Sequence, residues 1–392
     1  MLTQAPLSAS PDLHAGIQSR LEAVVQLACE VVGDRLRSVV LGGSLARGRA
    51  FGVEESGELR LLSDLDLYVV ADDGTDARVL RRRISDWARS DAFLTAPPDV
   101  AVVGPDYFGD DRDAMPTHQL AHGHRVLWGE AVDISGARDS GGQARVDPED
   151  AARLLFNRCV EALDPALSDP DSLTALVHRT KQFIDAPMAW LAARGRYNPD
   201  RREQLREFTE LGRQWRSAAG ERLDGALEHW AACLDARDAG VIGRARLERL
   251  AGRSGGALPG GASWMDWTGG FARSLFSGGD EAALWETLDG GLDRTALKTA
   301  SVSWLKRESA LVRLRRSRRW CSVAPPTVSP WWRHAIGGSG PDRIFAAAVL
   351  RLHGVEDWTQ PLAGLGRGWS VQKPDQLHAL WWRWIQGRDD ET

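Results

Sequence analysis

Two short runs constrain this chain more than anything else in it: Val39-Val40-Leu41-Gly42-Gly43-Ser44-Leu45-Ala46-Arg47-Gly48, and then Leu62-Ser63-Asp64-Leu65-Asp66-Leu67-Tyr68-Val69-Val70. The first reads as a buried strand that breaks into a Gly-Gly-Ser turn and a short helix. The second reads as a strand whose carboxylates, at i and i+2, share one face while Leu65 and Leu67 point into a core. A glycine-rich turn presents backbone N–H groups to an anion such as phosphate, and paired carboxylates hold a divalent cation. A third run, Pro98-Asp99-Val100-Ala101-Val102-Val103-Gly104, is a short β-branched strand that opens on another acid.

This ordered set resembles the nucleotidyltransferases of the DNA polymerase β superfamily. Their pattern is a strand, a Gly-Gly/Ser-Ser turn, a strand bearing Asp-x-Asp and a third strand with one more carboxylate. The resemblance runs over roughly residues 30–220. It implies that Asp64, Asp66 and Asp99 are catalytic and ligate two Mg²⁺ ions, with Mn²⁺ as a substitute. It implies further that Gly43, Ser44 and Arg47 hold the phosphates of a nucleoside triphosphate such as ATP, and that Asp99 accepts the proton of the incoming hydroxyl. The chemistry is physically coherent: two divalent ions about 3.5–4 Å apart stabilise both oxygens of an in-line displacement. The stretch Arg49–Leu61 is longer than in compact members of the family and reads as a polar surface loop.

Composition bounds the alternatives. With 392 residues, 43% apolar and 26% charged, the chain has material for two or three ordinary globular cores. Its cysteines, Cys29, Cys159, Cys233 and Cys321, form no C-x-x-C pair, which argues against zinc and a disulfide framework. The start of the chain lacks a signal-peptide pattern and no apolar run is long enough for a bilayer, so the expectation is a cytoplasmic protein without membrane contact. A net charge of −5 speaks against a grip on long nucleic acid.

Helical spacing covers Asp12–Val32, with Gly33 as a stop, and Ala77–Ser90 behind an Asp76 cap. The expected fold is an α/β N-terminal domain, a short mixed sheet with flanking helices, over 1–135. After the Gly-rich linker 135–146, a helical bundle over 147–250 closes the nucleotide cleft, and a helical, Trp-rich region over 264–392 completes the chain. Within the bundle His178, Lys181 and Asp185 share one helix face. One reading is a solvated face; the resemblance implies instead that Lys181 reaches the triphosphate. A basic helix over 293–320 and most of the 17 tryptophans read as solvated face and core, respectively.

The sequence thus leads to a metal-dependent transferase that moves a nucleoside monophosphate onto an acceptor hydroxyl and releases pyrophosphate. The acceptor is a small molecule or protein rather than nucleic acid. The alternatives are transfer to tRNA, synthesis of a nucleotide second messenger, and a nucleotide-binding module without activity.

Overall fold

Alternation and helical spacing together produce a sheet with a helix layer. The computed structural model describes residues 6–110, 115–132, 134, 146–164, 169, 171–213, 216–252, 264–306, 340–362, 371 and 373–384. Strands β1 (Leu36–Leu41), β4 (Asp66–Ala71), β5 (Asp99–Val103) and β6 (Arg125–Gly129) form a mixed sheet in the order β5-β4-β1-β6. Strand β1 runs antiparallel to β4 and β6, and β4 runs parallel to β5. On one face Val39, Leu41, Leu67 and Val69 pack with Leu13, Ile17, Leu21 and Val24 of α1 (Pro11–Val32) and with Leu80 and Ile84 of α3 (Ala77–Arg89). The other face carries Val40, Val70, Phe108, Leu120 and Ala121, with Tyr68 packed against them.

The local signals for α1 and α3 act as their chemistry predicts. Ser10 Oγ accepts from Leu13 N at 3.3 Å, Pro11 opens α1, and Gly33 ends it at φ +62°, a left-handed conformation that suits a residue without Cβ. Asp76 caps α3 by accepting from Arg78 N and Val79 N.

The segment read as a loop over Arg49–Leu61 is instead a hairpin, β2 (Gly52–Glu55) and β3 (Glu58–Leu61), and the strand expected from Leu62 starts at Asp66. The hairpin is completed by β7 (Val241–Gly243), which pairs in parallel with β2 at Gly52↔Val241 and Val53↔Ile242. Gly52 N donates to Gly240 O at 2.8 Å, and Arg244 pairs with Glu55. A partner strand about 190 residues away could not be read from the local sequence, where Glu and Gly suggested a solvated loop.

Two compact units result, and they are not consecutive along the chain. The sheet unit comprises Met1–Asp147, Gly195–Gln204 and Trp230–Arg253; the helical unit comprises Pro148–Arg194, Leu205–His229 and Ser254–Thr392. The stretch read as one bundle over 147–250 is therefore divided between them. Residues 195–204 hold the first turn of α8 (Arg201–Arg213), and 230–253 hold the end of α9 (Arg216–Asp238), β7 and α10 (Arg244–Ala251).

In the helical unit α7 (Leu173–Ala193) is buried along almost its whole length and packs on α6 (Pro148–Glu161) and α11 (Trp264–Phe276). Its aromatic core stacks Phe183 on Trp267 at 4.7 Å, and two of its indole nitrogens find acceptors: Trp190 donates to Ser274 Oγ and Trp267 to Phe183 O. Of the late tryptophans, Trp381 is buried, Trp358 is half-exposed, and Trp331, Trp332 and Trp369 lie outside the described residues. The helix read over 293–320 is α13 (Arg294–Lys306) as far as it is described; its arginines beyond 306, and the linker residues 135–145 and 253–263, lie outside the described residues. Among the described residues no helix is long and apolar enough to cross a membrane.

Candidate functional site

The Gly-Gly-Ser turn is hydrogen-bonded onto the acidic strand. Gly42 N donates to Asp66 O at 2.8 Å, which anchors the turn as α2 (Gly43–Ala46) begins. Gly43 has φ +65°, and a methyl on it would overlap Asp66 Oδ2. Two constraints therefore demand glycine here: the left-handed backbone and the Asp66 carboxylate lying against its Cα. The next residue, Ser44, is half-buried, and its carbonyl accepts from Arg49 N at 2.9 Å.

The approach to the acids is held equally firmly. Ser63 is buried; its Oγ accepts from Phe51 N at 2.9 Å, and Leu62 N and Ser63 N donate to Phe51 O. Asp64 follows outside any strand or helix, and Asp66 opens β4. On the neighbouring strand Asp99 is the register partner of Asp66, and Asp99 N donates to Leu65 O at 2.9 Å. Residues paired in register project to one face, so Asp66 and Asp99 share theirs. Asp64 and Asp66 are half-buried and Asp99 is exposed.

Among the described residues no group of three or more His, Cys, Asp or Glu side chains is gathered closely enough to hold a metal ion. The single point of convergence expected for Asp64, Asp66 and Asp99 is therefore not drawn together. Asp66 rests against Gly43, and Asp99 stands in solvent at its strand's start. Asp106, the next acid along, is exposed beyond β5. Tyr68 lies two residues beyond Asp66 on the same face, and burial, followed by the charges of Asp66, Tyr107 and Asp99, pushes its phenol well above the ordinary range. It is a neutral neighbour of the acids at any ordinary pH.

Behind the turn stands a cluster of guanidinium groups. Arg47 is packed against Gly123, where a methyl would overlap Arg47 Cγ. Its Nη1 is buried with no hydrogen-bond partner among the described residues. Burial, and then Arg201, lower the proton affinity of Arg47, while Tyr197 and Asp66 act in the opposite direction. Arg49 pairs with Asp200 at 3.0 Å, and Asp200 also caps α8 by accepting from Arg202 N at 2.7 Å. Arg202 pairs with Asp235 and Asp238, each at 2.6 Å. The sequence reading reached Arg47 and missed Arg201, Arg202 and Arg237.

Lys181 lies in the helical unit, half-buried on α7. The face it shares with His178 and Asp185 is not simply solvated. Asp185 is buried and accepts from Arg158 Nε of α6 at 2.9 Å, and His178 Nδ1 lies 3.5 Å from Glu161. Compared with protein-family models and with curated proteins, the chain matches none.

Proposed function

We propose that this protein is a metal-dependent nucleotidyltransferase that moves a nucleoside monophosphate from a triphosphate to an acceptor hydroxyl and releases pyrophosphate. The observation that carries the reading is the docking of the Gly42-Gly43-Ser44 turn on the strand of Asp66, with the Asp66 carboxylate against Gly43. An anion-binding turn and an acidic strand placed edge to edge suit a phosphate that must meet both. Carboxylate oxygens suit a hard divalent cation; Asp64 and Asp66, with Asp99 from the next strand, would hold Mg²⁺ only by closing in on it, since they are not gathered into one group here. When bound, the cation supplies charge neutralisation at the transferring phosphate.

The protein's own groups have separable tasks. Ser44 Oγ and the N–H groups of the turn orient the outer phosphates. Arg47 adds a fixed positive charge beside them. Asp99, exposed at the start of β5, is placed to accept a proton from a hydroxyl arriving from solvent. Phosphoryl-type transfer asks the protein mostly for such positioning and charge placement. The net charge of −5 supports a small-molecule or protein acceptor over a long nucleic acid.

The test is transfer of label from each α-labelled nucleoside triphosphate, with Mg²⁺, into separated small-molecule, RNA and protein fractions. Asp66→Asn should lower transfer on the order of 10³-fold, a loss of transition-state charge stabilisation, with little change in thermal stability. An Asp64→Asn/Asp66→Asn double variant that transfers label at the parental rate overturns the proposal.

A further inference from the structure

Three large side chains stand exposed among the described residues: Val79, Tyr107 and Trp128. Of these only Tyr107, 41% exposed, carries a nucleophilic oxygen. The chain has two other tyrosines, and neither is as open: Tyr197 is 3% exposed and Tyr68 is half-buried.

The position of Tyr107 follows from the turn that leaves β5. Tyr107 N donates to Gly104 O at 3.1 Å, and α4 (Tyr107–Asp110) begins there. The next residue, Phe108, is buried with Val40 and Val70 and anchors the turn on the sheet. Ring centroids lie 5.1 Å apart for Tyr107 and Phe108, and 6.4 Å apart for Tyr107 and Tyr68. Tyr68 follows Asp66 by two residues on β4, so it lies on the face that Asp66 shares with Asp99. The charges of Asp66, Tyr107 and Asp99 all bear on the Tyr68 phenol, which places the three groups around one side chain. Packing thus holds an exposed phenol beside the acids.

We propose that Tyr107 is a site of self-modification, the acceptor to which the chain transfers a nucleoside monophosphate. This rests on the nucleotidyl-transfer reading and names one acceptor for it. The Tyr107 hydroxyl oxygen bonds to the α-phosphorus of the triphosphate, and the bond from that phosphorus to the pyrophosphate oxygen breaks. Pyrophosphate leaves with the electron pair of the broken bond, and the phenolic proton passes to Asp99 and then to water. The product is a phosphodiester between Tyr107 and the nucleoside. Because the phenol and the acids occupy one face of the same sheet, the transfer takes place within a single chain.

The full chain incubated with Mg²⁺ and each nucleoside triphosphate, weighed by intact-mass spectrometry and mapped by peptide fragmentation, tests this. The expected result is one nucleoside monophosphate per chain, located on Tyr107. It should form at a first-order rate that does not change with protein concentration. Tyr107→Phe keeps the ring that packs on Phe108 and Tyr68, so it should fold as the parent does and lose the adduct completely. Asp66→Asn should slow adduct formation on the order of 10³-fold. A readout independent of turnover is acetylation by N-acetylimidazole, which should reach Tyr107 and spare Tyr68 and Tyr197. A non-cleavable α,β-methylene triphosphate with Mg²⁺ should protect Tyr107 from the reagent. A parent that labels external acceptors yet carries no adduct on Tyr107 overturns this proposal and leaves the transfer reading standing. An adduct that persists in Tyr107→Phe, a rate that rises with protein concentration, or a Tyr107 that resists acetylation also overturns it. A parent that forms no adduct and transfers no label to any acceptor overturns both.

Discussion

Arg158 in the helical unit and Arg47 in the sheet unit are both partly withdrawn from water, and they differ in their company. Arg158 donates to Asp185 at 2.9 Å and to Glu161 at 2.6 Å, and its carbonyl accepts from Gln182. Arg47 has a buried Nη1 without a partner among the described residues, and Arg201 and Arg49 are near enough to lower its proton affinity. The first cation is offset by acids of its own chain and serves to join α6 to α7. The second is held by packing and is offset by nothing comparable. That contrast supports the role proposed for Arg47 beside the phosphates.

The comparison breaks most visibly if the well-paired arginine proves dispensable. Arg158→Ala removes the guanidinium that pairs at 2.9 Å with Asp185, which is only 3% exposed. The expected loss of stability is about 3–5 kcal/mol, the usual cost of breaking a buried ion pair by removing one partner. Urea unfolding followed by tryptophan fluorescence reads it, since the core of this unit is rich in buried indoles. The double variant Arg158→Met/Asp185→Leu should recover much of the loss, because it removes both charges and keeps the volume. A single variant as stable as the parent would mean that the ion pair joins nothing.

A second effect, on the order of 3 kcal/mol, tests the same rule for a neutral group. His353 is fully buried between Thr268 Oγ1, at 3.1 Å, and Val349 O, at 2.7 Å. Burial pushes its imidazole down from 6.5 to about 4. Between those values the unfolded chain takes up a proton that the folded chain refuses. The stability from this group is therefore complete above pH 6.5 and declines as pH falls toward 4. Urea midpoints at pH 7 and pH 4.5 should differ accordingly in the parent, and the difference should shrink in His353→Gln. An undiminished difference in that variant would assign the acid sensitivity to other groups.

Local chemistry made part of this structure legible. The spacing of Leu13, Ile17, Leu21 and Val24 gives α1, the Asp76 cap gives α3, and the β-branched run after Asp99 gives β5, because each depends on neighbours within a few residues. The β2–β3 hairpin was read as a loop because its third strand, β7, comes from residues 241–243. At Gly43 the group that excludes a side chain is Asp66 Oδ2, which only the folded chain brings there. The arginine cluster behind the turn was half legible for the same reason: Arg47 belongs to the motif, whereas Arg201 and Arg237 reach it from distant segments. Charges paired across long sequence separations leave no periodic trace, so composition alone could not separate the Arg47 environment from that of Arg158.

The smallest expected change in stability belongs to the other arginine of the comparison. Replacing Arg47 with methionine keeps most of the stem that packs against Gly123 and removes a cation from the neighbourhood of Arg201 and Arg49. It breaks no close carboxylate pair of the kind that Arg158 makes with Asp185, and it abolishes the buried Nη1. Relief of like-charge repulsion offsets the small loss of attraction to Asp66, so the urea midpoint should move by less than about 0.5 kcal/mol equivalent, in either direction. Triphosphate affinity in calorimetry should nevertheless fall roughly tenfold, because the missing donor is the one that lacks an internal acceptor. Gly123→Ala should give a weaker form of the same result by displacing the stem while leaving the charge in place. A large loss of stability in Arg47→Met with unchanged triphosphate affinity would make Arg47 a structural arginine like Arg158 and erase the contrast between them.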